Sequence, residues 1–98
     1  MFGLLQRDID NIITCISKLK EIEKVVVFGS RAKGNYKKGS DVDLAVMGEK
    51  VNRETIIKLS EDLNEVYPLP YFFDVLDYEE IDNEDLKNHI DTEGKELL

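Results

Sequence analysis

Two short apolar runs and the polar segment between them constrain this chain more than any other feature. The first run is Val25-Val26-Val27-Phe28, closed by Gly29-Ser30; ten residues later Asp41-Val42-Asp43-Leu44-Ala45-Val46 opens the second. Four consecutive β-branched or aromatic residues stopped by a glycine predict a short buried strand. Gly29 allows a sharp turn and the close approach of a ligand, and Ser30 suits the N-cap of a helical turn through Arg31-Ala32-Lys33. Free N–H groups and a hydroxyl at such a turn attract phosphate oxygens. Arg31, Lys33, Lys37 and Lys38 concentrate positive charge there, in a chain that is otherwise strongly acidic.

The second run alternates, so Asp41, Asp43 and Ala45 fall on one face of a strand and Val42, Leu44 and Val46 on the other. Two carboxylates that close repel, and a divalent cation removes the conflict; oxygen ligands of this kind suit Mg²⁺ or Mn²⁺. A third carboxylate, Asp74, lies inside Tyr71-Phe72-Phe73-Asp74-Val75-Leu76, an apolar run where an unpartnered charge is costly. If that run is a strand beside the Asp41 strand, Asp74 joins the pair and completes a two-metal site. No Gly-Lys-Ser/Thr follows the glycines and no Gly-x-Gly-x-x-Gly opens a helix, so a P-loop or dinucleotide fingerprint is the wrong reading.

The combination of an apolar residue, Gly-Ser, about ten residues, Asp-x-Asp with apolar flanks and a distant third Asp resembles the DNA polymerase beta superfamily of nucleotidyltransferases. Phe28, Gly29-Ser30, Asp41-Val42-Asp43-Leu44 and Asp74 carry the resemblance. At this length the chain is most similar to the minimal nucleotidyltransferases, or MNT proteins, which pair with HEPN-domain toxins as antitoxins. The closing His89-Ile90-Asp91-Thr92-Glu93-Gly94-Lys95 also resembles the end of MNT proteins, whereas Leu97-Leu98 stand where the family implies a Tyr.

The resemblance implies an α/β (α+β) domain over residues 1–98, a small mixed β-sheet with helices packed on one face in the polymerase beta-like nucleotidyltransferase fold. It implies Asp41, Asp43 and Asp74 as catalytic, metal-holding residues, with Asp74 as the base, and Gly29, Ser30, Arg31 and Lys33 as the nucleotide-binding set. The implied reaction is Mg²⁺-dependent transfer of AMP from ATP to a protein hydroxyl, a Tyr of a HEPN toxin, in a type VII-like toxin–antitoxin pair. An antitoxin that neutralises its toxin by binding alone, with a silent site, is the other reading. Transfer to a small molecule, as in aminoglycoside nucleotidyltransferases, is a third, although those enzymes carry an extra helical domain.

Composition narrows the partners. Among 98 residues, 21 are acidic and 13 basic, a net charge of −8. Proteins that grip nucleic acid usually present a basic face, so a polynucleotide acceptor is disfavoured. The lone Cys15 rules out an internal disulfide and fits a reducing cytoplasm. No apolar stretch reaches the roughly 20 residues a membrane helix needs, and the N-terminus lacks the pattern of a secretory signal.

Elsewhere the sequence reads as scaffold. Leu5, Ile9, Ile12, Ile13, Ile16 and Leu19 recur at helical spacing and predict a core-facing helix over 5–20. Asn52 predicts the start of a second helix, running to about residue 66 with Ile56, Leu59 and Leu63 inward. Pro68 and Pro70 break it before a strand over 71–76 in which Phe72, Asp74 and Leu76 share one face. Asn83 predicts a last helix with Leu86, Ile90 and Leu97 inward, and His89 reads as a surface or partner-packing residue.

Overall fold

The computed structural model describes residues 2–34, 41–66, 69 and 71–98. Lys37 and Lys38 of the basic segment and the helix-breaking Pro68 and Pro70 lie outside the described residues. Helix α1 (Gln6–Ser17) leads to β1 (Lys24–Phe28), the single turn α2 (Ser30–Lys33) and β2 (Val42–Met47). Helix α3 (Arg53–Glu61) passes into a π-helical turn (Asp62–Val66), then come β3 (Phe73–Asp77), a 3₁₀ turn (Tyr78–Glu80), α4 (Glu84–Glu93) and β4 (Lys95–Glu96).

Among the described residues the strands form one mixed sheet in the order β3-β2-β1-β4. β1 runs antiparallel to both neighbours, and β2 and β3 are parallel, joined through α3. A parallel pair needs such a crossover, because a tight hairpin can join only antiparallel strands. β1 is central, and Val25, Val26, Val27 and Phe28 are all buried, which explains why its sequence is an unbroken apolar run.

Alternation divides the apolar residues between two faces. Val25, Val27, Val42, Leu44, Val46, Phe73 and Val75 pack with Ile9, Ile12 and Ile16 of α1 and Leu59 of α3 in the larger core. Val26, Phe28 and Ala45 pack with Ile90 of α4, with Met47, Leu76 and Leu86 at the edge, on the opposite face. The expected packing of helices on one face thus describes α1 and α3, while α4 lies over part of the other. The reason is the chain end: Gly94 sits against the Ile90 carbonyl and Val26, with no room for a Cβ, and lets the backbone turn from α4 into β4 beside β1. Helix α4 therefore stops at Glu93, and Leu97, expected on it, lies past β4 with its N–H on the Val25 carbonyl at 2.8 Å.

Local signals account for the other ends. Asn52 caps α3: its side chain accepts from the Thr55 N–H at 3.0 Å, and the Thr55 hydroxyl accepts from the Asn52 N–H at 3.3 Å. Asn83 caps α4 by accepting from the Leu86 N–H at 3.1 Å. Ser30 does not cap α2; Gly29 occupies that position and Ser30 is the first helical residue. No helix among the described residues is long and apolar enough to cross a membrane.

Candidate active site

The register of β2 and β3 decides where the acidic residues meet. Asp43 is paired with Asp74, so the two carboxylates start from neighbouring backbone positions on adjacent strands. Asp43 is also opposite Phe28, the last residue of β1 before the Gly-Ser turn. Alternation assigns Asp43 and Asp74 to the face that α4 covers only in part, since their strand neighbours Val42, Leu44, Phe73 and Val75 fill the larger core on the other side. Asp41 precedes β2 and is exposed, Asp74 is exposed, and Asp43 is half-buried between them.

The electrostatics of Asp43 follow from that setting. Burial pushes its carboxyl above the ordinary value, the charges of Asp74 and then Asp41 push the same way, and His89 opposes them. Both other predicted carboxylates therefore act on Asp43. Among the described residues no group of three or more acidic, His or Cys side chains converges closely enough to form a ready metal cage. The donor chemistry nonetheless fits a hard divalent cation: the carboxylate oxygens of Asp43 and Asp74 come from paired positions on adjacent strands, with Asp41 two residues before Asp43.

Gly29 sets the other wall. Its φ of 75° and ψ of −153° are open to glycine and rarely to other residues, and a Cβ there would overlap the Asp43 carboxylate. The glycine inferred from sequence to admit a ligand admits first the side chain of Asp43. Beyond it Gly29, Ser30, Lys33 and His89 line an open hollow, with Lys33 exposed.

Arg31, the remaining member of the expected nucleotide-binding set, is placed differently. It is only 4% exposed, donates from Nη1 to the Phe2 carbonyl at 2.9 Å, and its guanidinium lies 5.0 Å from the centre of the Tyr71 ring. Tyr71 in turn donates its hydroxyl to Asp8 at 3.2 Å, so Arg31 belongs to a cluster that joins α1, α2 and the approach to β3. Among the described residues, the cation that lines the hollow beside Ser30 is Lys33.

His89 is the residue that sequence reasoning misplaced. It is half-buried at the motif, where its Nε2 accepts from the Gly29 N–H at 2.9 Å and its ring stands edge-on to Phe28, centroids 6.1 Å apart at 74°. The amide expected to meet phosphate is thus bonded to an imidazole. Only the packing of α4 over β1 brings His89 to Gly29, and no local spacing signals that.

Comparison with known proteins supports the architecture. The family model described as "Polymerase beta, Nucleotidyltransferase" matches residues 10–98. No curated protein sequence matches significantly. Among solved structures, a chain of a toxin–antitoxin complex with AMP-PNP is similar over 92% of this chain and 72% of that one, with a TM-score of 0.76 and 23% identity. A chain of the toxin–antitoxin MntA-HepT is similar over 96% of this chain and 72% of that one, with a TM-score of 0.71 and 21% identity. A third is a complex of tri-AMPylated Shewanella oneidensis HEPN toxin with MNT antitoxin, similar over 95% and 71% at a TM-score of 0.71 and 21% identity.

Proposed function

The chain belongs to the polymerase beta nucleotidyltransferase family, and from that premise we propose that it transfers AMP from ATP to a hydroxyl on a partner protein. The observation that carries this reading is the β2–β3 register, which brings Asp43 beside Asp74 next to the Gly29 turn. In the reaction, an acceptor oxygen forms a bond to the α-phosphorus of ATP while the bond from that phosphorus to the bridging oxygen of pyrophosphate breaks.

Each residue then has a task. Asp74 is exposed at the strand end and accepts the proton of the attacking hydroxyl. The Ser30 hydroxyl and the Lys33 ammonium meet the phosphates that leave as pyrophosphate, whose negative charge grows as the bond breaks. Asp41 and Asp43, with Asp74, would hold Mg²⁺ or Mn²⁺, which would neutralise the triphosphate and make the attacking hydroxyl more acidic. Arg31 serves by fixing the turn that carries Ser30 and Lys33, through Phe2 and Tyr71.

The acceptor we infer is a Tyr on a HEPN-type toxin, with this chain as the antitoxin. Its support is the shared fold with chains of MntA-HepT complexes and the chemistry of one of them, in which the HEPN toxin is tri-AMPylated. The acidic net charge of −8 favours a protein acceptor over a polynucleotide. Coexpression with a HEPN-type protein that arrests growth tests the reading. Wild-type chain restores growth and Asp43→Asn does not, whereas equal rescue by both would mean neutralisation by binding alone.

A further inference from the structure

Gly29 has to stand in one place for the site to exist. Its backbone lies against the Asp43 carboxylate so closely that even a methyl group is excluded, and it begins the turn that carries Ser30 and Lys33. The Gly29 carbonyl accepts from the Lys33 N–H at 3.2 Å within that turn. Its N–H points outward to α4 and ends on His89, 60 residues further along the chain.

His89 is itself well anchored. Ile90, its neighbour on α4, is 2% exposed in the smaller core with Phe28 and Val26, and the imidazole rests edge-on against Phe28. Its Nε2 faces the turn and accepts the Gly29 N–H at 2.9 Å. An acceptor fixed by packing gives a conformationally free glycine turn a single orientation.

We propose that His89 is a positioning residue of the nucleotide site: by accepting the Gly29 amide through Nε2, it sets the turn that aims Ser30 and Lys33 at the triphosphate beside Asp43. The proposal rests on the nucleotidyltransfer reading and assigns to α4 a part in it that lies outside the Gly-Ser and Asp motifs. Two consequences follow. Phosphate is met by Ser30 and Lys33 and not by the Gly29 N–H, which stays on the imidazole. Loss of the acceptor loosens the turn while the Ser30 hydroxyl and the Lys33 ammonium remain.

Titration calorimetry of the full chain with AMP-PNP and Mg²⁺ tests this, using wild type, His89→Ala, His89→Gln and Ile90→Ala. His89→Ala is expected to bind about tenfold more weakly, the effect of one lost hydrogen bond. Gln reaches Gly29 with an amide oxygen, and His89→Gln is expected within about threefold of wild type. Ile90→Ala weakens the packing beneath α4 but leaves the imidazole its edge-on contact with Phe28, so its melting temperature falls while its affinity stays within about threefold. Wild-type affinity in His89→Ala would overturn the proposal and leave the nucleotide reading standing. Equal weakening in His89→Gln and Ile90→Ala would also overturn it, reducing His89 to part of the core. A wild-type chain that binds no AMP-PNP would overturn the nucleotide reading itself, and the proposal with it.

Discussion

At Asp43 the needs of folding and of chemistry oppose each other. The residue is half-buried, and both burial and the charges of Asp74 and Asp41 raise its proton affinity in the fold. A raised folded-state value means that this carboxyl favours the folded protein below about pH 4, near its unfolded value, and that the contribution is lost as pH rises through the folded value. At neutral pH ionised Asp43 therefore works against folding. Asp43→Asn is expected to raise the melting temperature at pH 7 without divalent cations by a few degrees, about 0.5–1 kcal/mol after solvent screening. Melting curves from pH 7 down to pH 4 check the sign: the gap between variant and wild type should narrow as Asp43 protonates. A variant less stable than wild type at pH 7 would show that the carboxylate is a structural asset.

The same residue shows how far a sequence discloses a site. Alternation alone assigned Asp41 and Asp43 to one face, because a strand has a fixed period of two. Asp74 was recognisable as a charge stranded in an apolar run, and its pairing with Asp43 follows from the β2–β3 register that the apolar pattern specifies. Arg31 and His89 were not legible in the same way. Whether an arginine two residues past a glycine faces solvent or Tyr71 depends on a ring 40 positions away in the chain, and His89 reaches Gly29 only through helix packing.

At the scale of elements, α3 gives way at Asp62 to the π-helical turn Asp62–Val66. Asn64, in the π-helical turn, donates to the Phe73 carbonyl at 2.9 Å and accepts from the Phe73 N–H at 2.7 Å. Its amide mimics a strand partner on the outer side of β3, which is an edge strand, and so locks the approach to Asp74. A helix continuous to residue 66 was the natural sequence reading, since Ile56, Leu59 and Leu63 keep helical spacing. The widened turn preserves burial of Leu63 while aiming Asn64 at Phe73, a demand from tertiary structure that periodicity does not encode. Asn64→Ala is expected to cost about 1–2 kcal/mol, lowering the melting temperature by roughly 5–10 °C. Urea titration with an unchanged slope would identify the loss as one of native-state stability. An unchanged midpoint would mean that water replaces the amide at no cost.

At the scale of the whole molecule, β1 and β2 hold the design together. Both are almost wholly buried, they lie at the middle of the sheet, and the turn after one and the acidic opening of the other make the site. The larger core under α1 and α3 supports one face, and α4 covers the other only in part, so the carboxylates are backed by rigid packing and remain open to solvent on their own side. That division was partly readable from the apolar pattern. The placement of α4 was not, because a helix that packs through Leu86 and Ile90 fits either face equally well until Gly94 and β4 fix where it begins its return.

The most direct test of the account is the intact mass of a purified HEPN-type partner after incubation with this chain, ATP and Mg²⁺, with Asp43→Asn in parallel. A mass gain of one or more AMP groups on the partner is expected with wild type and none with the variant. A stable complex that gains no mass, formed equally by both proteins, would contradict it.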